Sequence, residues 1–169
     1  FSLAQLLGFV SLGLSISVFY QKDDRWLKIL MLVFNLNHLL HYILLGSMMS
    51  AFAAFLSALR TGISIYTSSK QIAVLFIMIG VGLGVYLAEH WWTLFPVLGA
   101  VIGTYAIFTQ QGIKMRVCFL IGACCWLTNN IIVGSYGGIL LEISAICMNS
   151  LTIFRLLRDK KRLHSTQMA

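Results

Sequence analysis

Residues 71–88, QIAVLFIMIGVGLGVYLA, run for eighteen positions without one charged side chain. At about 1.5 Å per residue, a helix of that length comes close to the ~30 Å hydrocarbon thickness of a bilayer. The same character extends in both directions. Of the 169 residues 59% are hydrophobic and 10% are charged, with a mean hydropathy of +0.89. One soluble core cannot hide that much apolar surface, so lipid must cover it. With a single proline, Pro96, and no low-complexity tract, the chain has no room for a flexible linker or a separate soluble domain.

Polar breaks at 21–25, 46, 67–70, 89–91, 110–116 and 134–136 divide the chain into lengths that suit spanning helices. The spacing predicts seven spans, at about 1–20, 26–45, 47–66, 71–88, 92–109, 117–133 and 137–157. No basic segment or small-residue cleavage site precedes the first apolar run, so it is expected to remain as a helix.

If the breaks alternate between two sides, one side holds Lys22, Arg25, Lys28, Lys70, Lys114, Arg116 and the tail cluster Arg155, Arg158, Lys160, Lys161 and Arg162. Of the twelve lysines and arginines, only Arg60 is left inside a span. The positive-inside rule then puts the N-terminus outside and the C-terminus in the cytoplasm. Trp91 and Trp92 would anchor at the outer interface. The net charge of +7 points to anionic lipid rather than nucleic acid, because so much of it sits beside the membrane. Cys118, Cys124, Cys125 and Cys147 lie in apolar stretches and spell out neither a disulfide framework nor a zinc site.

The two halves resemble one another. Residues 4–10, AQLLGFV, align with 95–101, FPVLGAV, at an offset of about 91. Residues 42–47, YILLGS, align with 130–135, NIIVGS, at about 88. Spans one to three thus match spans five to seven, with span four as an unpaired linker. An odd helix between repeats gives both the same orientation, as in transporters with a pathway between parallel halves. The expected organisation is a first bundle at 1–68, a linking helix at 69–90, a second bundle at 91–158 and a basic cytoplasmic tail at 159–169.

Residues 94–99, LFPVLG, then Cys124-Cys125-Trp126, then 134–138, GSYGG, with Glu142 and Met148-Asn149, resemble the bacterial inner-membrane protein family called YgjV. So does Leu59-Arg60-Thr61 in the first half. That family looks like a branch of the group containing the SWEET sugar transporters, the SemiSWEETs and the PQ-loop proteins. The resemblance implies an all-α integral membrane fold of seven helices, a 3+1+3 arrangement of two parallel bundles, in the bacterial inner membrane. The proline-glutamine pair of PQ-loop proteins is absent, Gln5 and Pro96 occupying the aligned place in different halves, so sugar specificity does not carry over. In SWEET-like proteins a tryptophan on the second helix of a bundle and an asparagine on the third flank the substrate. Trp126 and Asn149 look like that pair.

Polar groups inside spans are costly and tend to face a cavity or another helix. Counting along the spans puts Asn37, His38, Trp126 and Asn149 near the midplane. Trp126, Asn129 and Asn130 share one helix face by their spacing. An indole can stack on a flat solute, and an amide can hydrogen-bond hydroxyls; interhelical hydrogen bonding is the plainer role for all these asparagines. Arg60 and Glu142 are the charged side chains well inside spans, more than ~10 Å apart in depth. Arg60 is either a gate or a snorkelling side chain, and Glu142 a candidate for proton coupling. Pro96 is either tolerated at a helix start or a hinge. The acidic pair Asp23-Asp24 reads as a solvated loop. His38 and His41 share a face but supply no coordination shell, so no metal or cofactor is expected.

The expected function is transport of a small polar solute, a sugar or other metabolite, by alternating access around a midplane pocket. The alternative is a membrane receptor or accessory protein that binds a ligand or partner without moving it. No catalytic constellation points to an enzyme. Membrane lipids and a solute are the expected partners, with a homo-oligomer open.

Overall fold

In the computed structural model, which describes residues 2–169 apart from the side chains of Met48 and Met49, the polar breaks become helix caps. Helix α1 (Leu3–Tyr20) starts at Ser2, whose hydroxyl accepts from the Gln5 N–H while the Gln5 side chain accepts from the Ser2 N–H. Each thereby satisfies a donor that the first turn leaves free. Asp23 caps α2 (Asp24–Leu44), accepting from the Trp26 N–H at 3.0 Å. Ser69 caps α4 (Lys70–Leu87) and Ser135 caps α7 (Tyr136–Met168) in the same way. Helix α3 spans Met48–Tyr66 and α6 spans Gly112–Val133. A 3-10 turn at Trp91–Thr93 leads into α5 (Leu94–Thr109). Phe1, placed by the sequence in the first span, lies outside the described residues.

Two turns have the same build. Gly46 and Gly134 end α2 and α6 with φ of 74° and 78°, a left-handed conformation that costs a side-chain-bearing residue about 1 kcal/mol or more. In each turn the following serine N–H reaches back five residues, Ser47 to the Tyr42 carbonyl at 3.0 Å and Ser135 to the Asn130 carbonyl at 2.9 Å. This closes the helix end by satisfying a carbonyl that would otherwise lie bare in lipid.

Among the described residues, α1, α2, α4, α6, α7 and the segment Trp91–Thr109 are long and apolar enough to cross a membrane. The protein is therefore an all-helical, multi-pass chain with six candidate membrane-spanning helices, and α3, with 19 residues, lies beside them. Helix α2 packs between α1 and α3, and α6 between α5 and α7. Helix α4 packs on α5, α1 lies along α7, and α3 touches α5 only lightly. The ends that carry the turns at 21–23, 67–69 and 110–111 form what we call the basic end. The buried apolar core gathers there: Val18, Leu27, Ile107, Phe108, Met115 and Phe119 all lie in the last or first few turns next to it.

Two boundaries differ from the sequence reading. Helix α6 starts at Gly112, five residues before the expected 117, because Lys114 and Arg116 belong to its first turns rather than to a loop. Helix α7 runs past the expected end of the last span at 157 as far as Met168, so the basic stretch from 159 is a helical continuation of it. Its 33 residues make a rod of about 50 Å. The tail's lysines and arginines are good helix formers, so nothing local stops the helix at the membrane edge.

Candidate functional site

The most constrained polar group in the molecule is Arg116. Its side chain is 0% exposed and lies about 6 Å along α6 from Gly112. One terminal nitrogen donates to Asp24 Oδ1 at 2.6 Å and to the Gly112 carbonyl at 2.9 Å. The other donates to the carbonyls of Gln21 and Lys22, each at 2.9 Å. Asp24 also accepts from the Gly112 N–H through Oδ2 at 2.8 Å. A carboxylate from α2 thus caps the N-terminus of α6, where the helix dipole favours negative charge. The acidic pair expected to be a solvated loop has two structural jobs instead: Asp23 caps its own helix, and Asp24 caps and neutralises another.

Around this clamp the same end is knit further. Arg155 stacks over the Tyr20 ring at 4.2 Å and donates to the Tyr20 carbonyl at 2.8 Å. Thr152 donates to the Phe19 carbonyl. Lys22 pairs with Asp159 at 2.6 Å on the exposed stretch of α7. The Lys22 ammonium beside it holds the Asp159 carboxyl below the usual carboxylate range.

The expected common centre does not form as read from the sequence. Asn149 is buried and donates to the Arg116 carbonyl at 2.8 Å, which puts it beside the clamp. Trp126 lies ten residues further along α6, about 15 Å away from that level. Its indole packs on Gly99, so close that a Cβ built there would sit 2.9 Å from the ring. Asn37 turns to α1, donating to the Leu7 carbonyl at 2.9 Å and to Ser11 at 2.6 Å. His38 stacks on Tyr42 of its own helix, with its Nδ1 buried and unpartnered. His41 meets the Ala4 carbonyl at 2.8 Å. Asn130 packs over Gly138 at the start of α7, and Asn129 is half-buried on α6. Asn35, donating to the Ser57 carbonyl and to Thr61, ties α2 to α3. Asn35, Asn37, His41 and Asn149 thus make hydrogen bonds between neighbouring helices.

Arg60 and Glu142 stay apart. Arg60 reaches across the seam to α5, donating to Thr104 at 3.0 Å, and its Nε is buried without a partner. Glu142 is half-buried, about 9 Å from the start of α7, and neither of the ion pairs among the described residues includes it. Pro96 falls in the first turn of α5, where its missing N–H is no loss. No group of three or more metal-ligating side chains is present among the described residues. An apolar groove of about 250 Å³ lies on the outer turn of α5 at Trp91, Leu94, Phe95 and Leu98, and a groove of about 550 Å³ runs along Arg158, Lys161, Arg162, Ser165 and Thr166. Neither is lined by the residues expected to bind a solute, Asn37, His38, Trp126, Asn129, Asn130 and Asn149.

Sequence reasoning missed Arg116 and Asp24 because they lie 92 positions apart. The available signal was the pair of aspartates on a side otherwise filled with cations.

A family model described as a bacterial inner membrane protein, Imp-YgjV, matches residues 2–160. The inner membrane protein YgjV of Escherichia coli (strain K12) is 34% identical over 160 residues, which cover 95% of this chain and 87% of that protein. No solved structure matches. A chain of apolar helices capped at polar turns, matched over nearly its whole length, therefore belongs to the Imp-YgjV family of bacterial inner membrane proteins.

Proposed function

We propose that this protein is a small-solute transporter in which two three-helix units, α1–α3 and α5–α7 with α4 as linker, rock against one another. One observation carries the reading. Among the described residues, the side-chain hydrogen bonds and ion pairs that join the two units through Arg116, Asp24, Arg155, Thr152 and Lys22 lie at the basic end, and the remaining one, from Arg60 to Thr104, lies about 8–9 Å further in. A seal made of polar contacts at one end of a helix assembly is the arrangement that alternating access requires, since such contacts can exchange with water when that end opens.

The matching middle-helix packing of the two units and the twin turns at Gly46-Ser47 and Gly134-Ser135 support the parallel repeat. That plan is similar to the SWEET and PQ-loop group, and it makes α3 the seventh span. With the basic end in the cytoplasm, the N-terminus is outside, the C-terminus is inside, and the conformation at hand is closed to the cytoplasm. Trp126, 40% exposed on α6, and Glu142 on α7 are the groups we place along the outer part of the pathway, Glu142 as a carrier of protons.

The test is uptake of labelled solutes into proteoliposomes, with Lys22→Cys and Asp159→Cys joined by a short thiol cross-linker in a background free of the native cysteines. The cross-link is expected to abolish flux and reduction to restore it. Flux that continues at full rate with the units tied would sink the rocking mechanism. Ligand binding without flux under any condition would favour the receptor alternative.

A further inference from the structure

Of the three arginines that bridge the units, Arg155 sits on the exposed rim of the basic end, and the other two differ in their counter-charge. Arg116 has a carboxylate and three backbone carbonyls on its terminal nitrogens and full burial, although its Nε, like that of Arg60, is buried without a partner. Arg60 has one neutral hydroxyl, that of Thr104, which itself donates to the Ala100 carbonyl. Its Nε is buried without a partner, and no hydrogen bond to Nη2 occurs among the described residues. The chain's five acids are all elsewhere: Asp23 on its cap, Asp24 on Arg116, Asp159 on Lys22, Glu89 exposed in the turn after α4, and Glu142 on the outer part of α7. A guanidinium held inside a membrane without a counter-ion is costly, and such groups mark ligand or ion pathways.

Geometry narrows what could satisfy it. Nε–H and Nη2–H form one flat edge of the guanidinium, the two-donor fork that matches a carboxylate. That edge is the vacant one, since Nη1 is turned to Thr104. Helical side chains lean toward the helix N-terminus, so from α3 Arg60 leans away from the basic end. Its Cα lies about 9 Å in from Tyr66, and Thr104 about 8 Å in from Thr109. The head group therefore stays in the seam instead of snorkelling to the headgroups. Gly103 of α5 lies against the Nη1 side of the head group, where a Cβ would sit 3.8 Å from that nitrogen.

We propose that Arg60 is the anion-binding residue of the pathway and that the solute is a small organic acid, its carboxylate seated on the Nε/Nη2 edge. This rests on the transport reading above and names its substrate class.

The experiment is thermal unfolding of the purified protein in phosphatidylcholine nanodiscs with sodium acetate, sodium succinate or inorganic phosphate, against glucose and glycerol at matched ionic strength. At least one carboxylate should raise the melting temperature of the wild type. Arg60→Gln should weaken that response by about 10- to 100-fold, the range spanned by hydrogen bonds to charged groups, and Arg60→Lys should lie between. Without anion, Arg60→Gln should melt at or above the wild type, because an unpaired cation has been removed; a bond to Thr104 with only a structural role predicts a lower temperature. No response to any anion, or stabilisation by the neutral solutes alone, overturns the proposal. So does an Arg60-dependent rise produced by phosphatidylglycerol in the nanodisc when no soluble carboxylate produces one, which would assign the site to a lipid headgroup. Arg60-dependent carboxylate binding without proteoliposome flux keeps the site and refutes transport. Flux of a neutral sugar that Arg60→Gln leaves unchanged does the reverse.

Discussion

Replacing Asp24 by alanine removes the one carboxylate facing the fully buried Arg116 guanidinium and uncaps the Gly112 N–H. Stranding a buried charge in this way costs about 3–5 kcal/mol. The carbonyls of Gln21, Lys22 and Gly112 still hold the guanidinium, which argues for the lower end, about 3 kcal/mol, including about 1 kcal/mol for the lost cap. The reverse change is milder. Arg116→Met leaves Asp24 with a side chain 32% exposed, able to hydrate and to go on capping α6, and fills the space with apolar volume; about 1–2 kcal/mol is expected. The double variant should lie near Arg116→Met plus the lost cap, well short of the sum, because the stranded charge is gone. For a chain of this size, 3 kcal/mol corresponds to a fall of about 6–12 °C in Tm. Thermal unfolding in detergent, followed by tryptophan fluorescence, reads all three. An Asp24→Ala variant within about 1 kcal/mol of the wild type, or an Arg116→Met variant less stable than Asp24→Ala, would refute the account of the clamp.

Other consequences are equally open to measurement. Gly99→Ala puts a methyl group 2.9 Å from the Trp126 ring and 3.2 Å from the Gly122 carbonyl, so it should destabilise by about 1–3 kcal/mol; adding Trp126→Ala should recover part of that loss, and full additivity in unfolding measurements would contradict the contact. Asp159, held below the ordinary carboxylate range chiefly by its hydrogen bond to Lys22, should stay ionised as pH falls through that range. Whatever the Lys22–Asp159 pair contributes is complete above the ordinary value and lost only as pH drops through the lowered one. Carboxyl carbon resonances in a pH titration would show this, and Lys22→Gln should move the midpoint up. A fluorescent protein fused after Ala169 should fold and emit in the cytoplasm, while a periplasmic phosphatase fused there should be inactive. The opposite pattern would invert the assigned topology.

The apolar, membrane-length segments and most of the places where they break were legible because both are local properties. In lipid each segment must satisfy its own backbone, so apolar length, serine caps and left-handed glycines at Gly46 and Gly134 mark the boundaries within a few residues. The clustering of cations at one end is equally local, a matter of which turn each residue occupies. The start of α6 was misread because Lys114 and Arg116 look like loop residues on hydropathy, although burial and a partner make Arg116 part of the helix.

What the side chains do was decided only by the tertiary structure. Depth along a helix can be counted from the sequence, but rotation about its axis relative to a neighbour cannot. Asn37, His38 and Trp126 therefore share a depth without sharing a cavity, and Asn149 lies beside Arg116. Asp24 and Arg116 became partners across 92 residues because the first turn of α2 meets the start of α6 at the basic end. Charge pairing depends on distances of a few ångströms between chain segments, and apolar patterning constrains only which groups avoid lipid, leaving their partners to the packing.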